Sequence, residues 1–206
     1  MCHKPEPEVH PLGEVLPNGL GTDPPLPPDD PTIGYKFNHV MFRIRDPTRS
    51  LHFYINLMGM RTIFTLNSGP FTIYYIGYPQ TTEHQSDFGK FARDTLPELQ
   101  RTMGLIELFH IHGSENEPED YYCTGNQPPH LGLGHFGFTV PDVPRALERL
   151  RSHGVEVVKD VGVSTRDAVP LSEWERQRGI GVGDLHQSYN AIFEQIAFVK
   201  DPVCTL

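Results

Sequence analysis

The stretch Asn38-His39-Val40-Met41-Phe42-Arg43-Ile44-Arg45-Asp46-Pro47-Thr48-Arg49-Ser50-Leu51 decides the fold, because its skeleton returns later in the chain. His39, Phe42, Asp46, Arg49 and Leu51 have counterparts in His135, Phe138, Asp142, Arg145 and Leu147, each 96 positions on. Five agreements at one offset across 13 positions mark a duplicated unit. Each copy opens on an alternating apolar run, Val40, Phe42, Ile44 and then Phe136, Phe138, Val140, which is the period of a half-buried strand. Each continues into a helix, with Asp46 before Pro47 and Asp142 just before Pro144 as N-cap carboxylates and first-turn prolines. Leu51, Tyr54, Ile55, Met58 and Val143, Ala146, Leu147, Leu150 form apolar stripes at i, i+3, i+4 and i+7, and Gly59 and Gly154 close the helices.

Outward from the first copy, Met60 to Leu66, Phe71 to Tyr78 and Gly104 to His110 read as three strands, which completes a βαβββ module. The polar residues 79–103 form an excursion with a short helix near Phe88 to Leu99. In the second copy Val155 to Lys159 reads as a strand, residues 162–190 form an excursion with a Ser172/Glu175 capping box, and Ala191 to Val199 reads as a returning strand. A fourth strand would lie past the last residue, Leu206. The expected fold is α+β, two paired βαβββ modules at 36–113 and 130–206, the second lacking its last strand. Residues 1–35, where Pro24, Pro25, Pro27, Pro28 and Pro31 crowd together, read as an extended arm.

The balance of 26 acidic against 17 basic residues gives a net charge of −9, and the basic residues are scattered, which excludes nucleic acid as the expected partner. No apolar run approaches the roughly 18 residues that span a bilayer, so no membrane partner is expected. The Met1 end is too polar for a secretory leader. Cys2, Cys123 and Cys204 have no metal-ligand spacing and fit a reducing compartment, so the chain reads as cytoplasmic.

His39 and His135 occupy matching points of the two modules, and pseudo-symmetric pairing would bring both imidazoles to one cleft. Glu107, in Leu105-Ile106-Glu107-Leu108-Phe109, lies in a strand otherwise suited to burial, where a carboxylate is costly unless neutralised. A single strand histidine is more often structural than ligating. Two in symmetric positions with a carboxylate point to one divalent metal on His39, Glu107 and His135. His110 and His112 read as structural, and Gly132, Gly134 and Gly137 as sites of close backbone packing rather than a phosphate loop. Arg43 shares a strand face with His39 and suits either an anionic substrate or a salt bridge.

His39-Val40-Met41-Phe42-Arg43-Ile44 with Asp46-Pro47, Ser50-Leu51, Phe53-Tyr54 and Leu57-Met58-Gly59-Met60 resembles the opening of the glyoxalase I (lactoylglutathione lyase) family of the vicinal-oxygen-chelate superfamily. Ile106-Glu107-Leu108, Gly134-His135-Phe136-Gly137-Phe138 and Ala197-Phe198 with Asp201-Pro202 resemble later family segments in the same order. The resemblance implies a metal cleft between modules, often at the interface of a homodimer. It makes His39, Glu107 and His135 the ligands of zinc or of nickel or cobalt, histidine in first place matching the bacterial members. It further implies isomerisation of the methylglyoxal–glutathione hemithioacetal to S-lactoylglutathione, with Arg43 holding the glutamyl carboxylate.

The family's final glutamate would fall at position 208, which leaves Glu107 as the carboxylate able to move a proton. Leu131 and Ile111 stand where glutathione-binding members carry arginine and asparagine. Two other readings stay open at this point: a non-catalytic module that binds a metal or a thiol conjugate, and a dioxygenase of the same fold.

Overall fold

The computed structural model describes residues 10–202, apart from 20, 22, 124 and 170. Cys2 and Cys204 lie outside the described residues. Among the described residues of 10–38 there is no helix or strand. The first module then forms as the sequence predicts, from β1 (His39–Ile44), α1 (Pro47–Leu51), β2 (Arg61–Asn67), β3 (Phe71–Gly77) and, after an excursion, β4 (Leu105–Ile111). The excursion carries α2 (Thr82–Ser86) and α3 (Phe88–Thr95). The sheet order is β1-β4-β3-β2, with β1 parallel to β4 and the other neighbours antiparallel.

Asp46 caps α1 by accepting from the backbone N–H of Thr48 and Arg49. The helix does not keep its α period. From His52 to Leu57 it widens into π-type turns, closed by Met58 N–H on the Phe53 carbonyl. The wider turn rotates the buried face away from the expected stripe: Phe53, Tyr54 and Leu57 are buried, while Leu51, Ile55 and Met58 stay at the margin. Gly59, at φ +82°, then reverses the chain so that Met60 N–H reaches back to the Tyr54 carbonyl.

Two apolar layers sandwich the sheet. On one face Ile44, Ile76, Ile106 and Leu108 pack beneath Phe53, Tyr54 and Leu57, with Val40 and Phe42 at the margin. On the other, Ile63, Tyr75 and Leu105 pack beneath Phe91 of α3, with Phe64, Ile73 and Leu99 around them. The excursion is therefore a roof over part of one sheet face.

A hairpin of β5 (Asn126–Gln127) and β6 (His130–Leu131) leads into the second module, which then supplies α4 (Val143–Ser152) and β7 (Val157–Lys159). It continues through α5 (Glu173–Arg176) and α6 (Gln187–Phe193) to β8 (Phe198–Val199). Asp142 caps α4 on Arg145 N–H, and Leu147 and Leu150 are its buried stripe. At its end Gly154, at φ +79°, lets Val155 N–H return to the Leu150 carbonyl, as Gly59 does in the first copy. The capping box of α5 forms between Ser172 and Glu175.

Two expectations change. Ala191 to Val199 is not one strand: Ala191, Ile192 and Phe193 belong to α6, which His186 caps and in which Tyr189 stacks on Phe193 at 5.0 Å, and only Phe198–Val199 is extended and paired. A short apolar run fits either element, and the i, i+4 aromatic pair favours the helix. Residues 134–140 keep strand-like alternation, with Phe136, Phe138 and Val140 half-buried and His135, Gly137 and Thr139 exposed, yet they join no ladder. The first module supplies the reason. Its opening strand pairs only with β4, and among the described residues no such strand stands between 134–140 and the antiparallel pair β7–β8, which repeats β2–β3.

The modules meet through their helices and opening strands. Phe42 stacks on Phe136 at 5.2 Å, and Phe138 packs against the cluster under α1. Arg149 of α4 donates to the carbonyl oxygens of Asn56 and Leu57 at the end of the widened helix.

Candidate metal centre

β1 sends Val40, Phe42 and Ile44 into the layer beneath α1, so alternation puts His39, Met41 and Arg43 on the opposite, roofed face. Glu107 lies in β4 between Met41 of β1 and Tyr75 of β3 in register, which brings its carboxylate to the same face. His39 Nε2 and Glu107 Oε2 are 3.5 Å apart, and the Glu107 side chain is 15% exposed against 36% for His39. Tyr75 completes the group: its ring lies 5.3 Å from the His39 ring, and its hydroxyl interacts electrostatically with the Glu107 carboxylate. Burial pushes the Tyr75 phenol up to about 12, helped by the nearby negative charge of Glu107. The phenol therefore stays neutral beside Glu107.

Asn38 buttresses the same spot. Its amide bonds Leu99, Thr102 and the His39 ring. Neither Asn38 nor Tyr75 stands out in the sequence as chemistry. The available signals are position alone: Asn38 directly precedes the strand histidine, and Tyr75 lies in the strand hairpinned toward Glu107.

His39 and Glu107 are thus brought together, and His135 is not brought to them. Its ring packs edge-on against Phe198 at 5.1 Å and lines an apolar cavity of about 410 Å³ that also touches Tyr54, Leu147 and Ile196. Among the described residues no three His, Cys, Asp or Glu side chains converge as a metal cluster. Arg43 is exposed on the site face and has no ion-pair partner among the described residues. His110 and His112 are occupied structurally, His110 on Glu115 at 2.9 Å and His112 on Thr72 at 2.8 Å. Cys123 is free and exposed.

The pair fits a divalent ion in part. An imidazole nitrogen and a carboxylate oxygen at 3.5 Å, the first on a partly exposed side chain and the second on a largely buried one, are two donors of the type that zinc, nickel and cobalt accept. Two donors are fewer than such an ion takes, so further ligands must come from elsewhere.

Residues 36–168 match the model of the Glyoxalase/Bleomycin resistance protein/Dioxygenase superfamily. A protein of Pseudomonas aeruginosa called lactoylglutathione lyase is 36% identical over 154 residues, 72% of this chain and 82% of that one. Glyoxalase I of Saccharomyces cerevisiae is 31% identical over 133 residues, 64% of this chain and 38% of the yeast protein. Among solved structures, the trypanothione-dependent glyoxalase I of Leishmania major is similar at a TM-score of 0.42 and 20% identity, over 60% of this chain and 70% of that one. No helix of the described residues is long and apolar enough to cross a membrane.

Proposed function

Because the chain belongs to the Glyoxalase/Bleomycin resistance protein/Dioxygenase superfamily, we propose that it is a metal-dependent isomerase of the glyoxalase I kind. Its substrate is the hemithioacetal of methylglyoxal and glutathione, its product S-lactoylglutathione, and its role the detoxification of methylglyoxal in the cytoplasm. The observation that carries this reading is the His39–Glu107 pair, 3.5 Å apart on one sheet face. Support comes from the lactoylglutathione lyase with which the chain shares 36% identity.

His39 and Glu107 are two of the ligands in this reading, and a bound zinc, nickel or cobalt ion would supply Lewis-acid stabilisation of negative charge on the substrate oxygens. Glu107 moves the proton from C1 of the hemithioacetal to C2, as general base and then general acid. Tyr75, held neutral, stands beside the Glu107 carboxylate without adding a charge to the site. Arg43, on the same strand face, takes the glutamyl carboxylate of glutathione.

His135 is the third ligand and arrives from a second copy of the chain, so that two copies form a homodimer with a site between them. The separation of His135 from His39 and Glu107 within one chain supports this arrangement.

The test is metal content together with hemithioacetal turnover in the purified chain. Wild type should hold one divalent ion per chain, and Glu107→Gln should lose the ion and at least about 10²-fold in turnover. Full turnover by Glu107→Gln would remove Glu107 from the mechanism, and turnover without bound metal would remove the metal.

A further inference from the structure

Asn38 stands directly before His39, and its carboxamide is held on three sides. The amide nitrogen donates to the Leu99 carbonyl at 2.8 Å and to the Thr102 carbonyl, and Oδ1 lies 2.6 Å from His39 Nδ1. A carbonyl oxygen cannot donate, so the end of the amide facing Leu99 and Thr102 must be the NH2. The flipped amide would set its oxygen against two other acceptors. Oδ1 therefore faces the imidazole, and since Oδ1 carries no hydrogen, the bond exists only when Nδ1 carries one. In the neutral ring that leaves Nε2 as the bare lone pair. Nε2 is the nitrogen that lies 3.5 Å from Glu107 Oε2.

We propose that Asn38 is a positioning residue that locks His39 in the Nδ1–H tautomer, presents Nε2 to a metal beside Glu107, and couples that ring to the excursion through Leu99 and Thr102. The ligand part of this proposal rests on the reading of His39 and Glu107 as metal ligands. A ligating histidine works when its other nitrogen is satisfied by an acceptor that sets both tautomer and ring angle, and Asn38 supplies that acceptor from the adjacent residue. Both of its donor hydrogens are spent on the excursion. Leu99 itself packs on the cluster of Tyr75, Leu105 and Phe91, so the contacts that hold the roof also set the ring. An excursion that lifts from the sheet releases the amide, and the ring regains both tautomers.

The test uses the full chain, metal-free and labelled with nitrogen-15 at histidine, together with the dissociation constant for Zn²⁺ from chelator competition. In the wild type, at a pH where the ring is neutral, His39 should show a protonated Nδ1 and an unprotonated Nε2. Asn38→Leu should mix the two tautomers and weaken Zn²⁺ binding by about 10–100-fold. Asn38→Asp keeps an acceptor for Nδ1 but no donors for the excursion. It should keep the Nδ1–H ring while backbone amide exchange quickens at residues 99–102.

A neutral wild-type His39 ring protonated on Nε2 and bare on Nδ1 overturns the proposal, as does a folded Asn38→Leu with unchanged tautomer and affinity. Should Asn38→Leu fail to fold, the wild-type tautomer and the Asn38→Asp exchange pattern still decide. An Asn38-dependent tautomer in a wild-type chain that takes up no Zn²⁺ overturns the metal reading and the ligand role with it, while supporting the positioning of the ring.

Discussion

Tyr54 and Asp201, 147 positions apart in the chain, are joined by a hydrogen bond from the phenol to the carboxylate. Tyr54 is 1% exposed on the widened helix after α1, and Asp201 follows β8, so this bond ties the first module to the end of the second. Tyr54→Phe keeps the ring contacts with Phe42 and Phe53 and removes the hydroxyl alone. We expect a loss of about 1.5–3 kcal/mol in urea unfolding, the range for a hydrogen bond to a charged group. A change below about 0.5 kcal/mol would show that water replaces the bond without cost.

The fold was legible where local pattern and long-range packing agree. Val40, Phe42 and Ile44 alternate, and they do pack under α1; Asp46 and Asp142 sit before prolines, and both cap helices. Legibility failed where neighbours far along the chain choose between local alternatives. Ala191 to Phe193 is equally apolar as helix or strand, and the Tyr189–Phe193 stack selects helix. Phe136 to Val140 has the pattern of a strand, but a ladder needs a partner that alternation cannot show. The site divides the same way. Register carries Glu107 to His39, because β1 and β4 are neighbours within one module. Symmetry between modules does not carry His135 there, since the meeting of the modules is set by α4 against the widened helix. Asn38 reaches Leu99, 61 positions on, and nothing local announces that contact.

Arg43 is exposed on the site face, and a guanidinium there suits a substrate carboxylate better than it suits the reacting carbons. Arg43→Ala should raise KM for the hemithioacetal about tenfold and leave kcat within about twofold, because it removes binding that is equal in ground and transition states. Steady-state kinetics at fixed metal loading measure this. A fall in kcat with KM unchanged would instead place Arg43 at the chemistry.

Lys159 is 2% exposed, with its ammonium on the carbonyls of Asp160, Phe193 and Ile196 and 4.3 Å over the Phe193 ring. Burial holds its pKa below the ordinary lysine value of 10.5, although Asp160 and Glu194 oppose the shift. A base depressed on folding binds fewer protons in the folded chain than in the unfolded one, so this group makes stability rise with pH, from its folded pKa up to 10.5. Urea unfolding of the wild type and Lys159→Met at alkaline pH values rising to 10.5 isolates the effect. The wild type should gain stability relative to the variant across that window. A constant difference would mean the buried ammonium keeps its ordinary affinity for the proton.

His135 and Glu107 offer the sharpest test of where the site lies. If His135 reaches Glu107 only from a second copy, Glu107→Gln and His135→Gln are each inactive alone. Unfolded together in equal amounts and refolded, they give about half mixed dimers, each with one intact site and one doubly altered site. Recovered turnover should then be about one quarter of wild type. If both residues serve a site within one chain, every site in every dimer carries one lesion and mixing restores nothing. The same samples report metal, which should return in proportion to turnover, and metal that stays absent from the mixed dimers would remove His135 and Glu107 from a shared ion site.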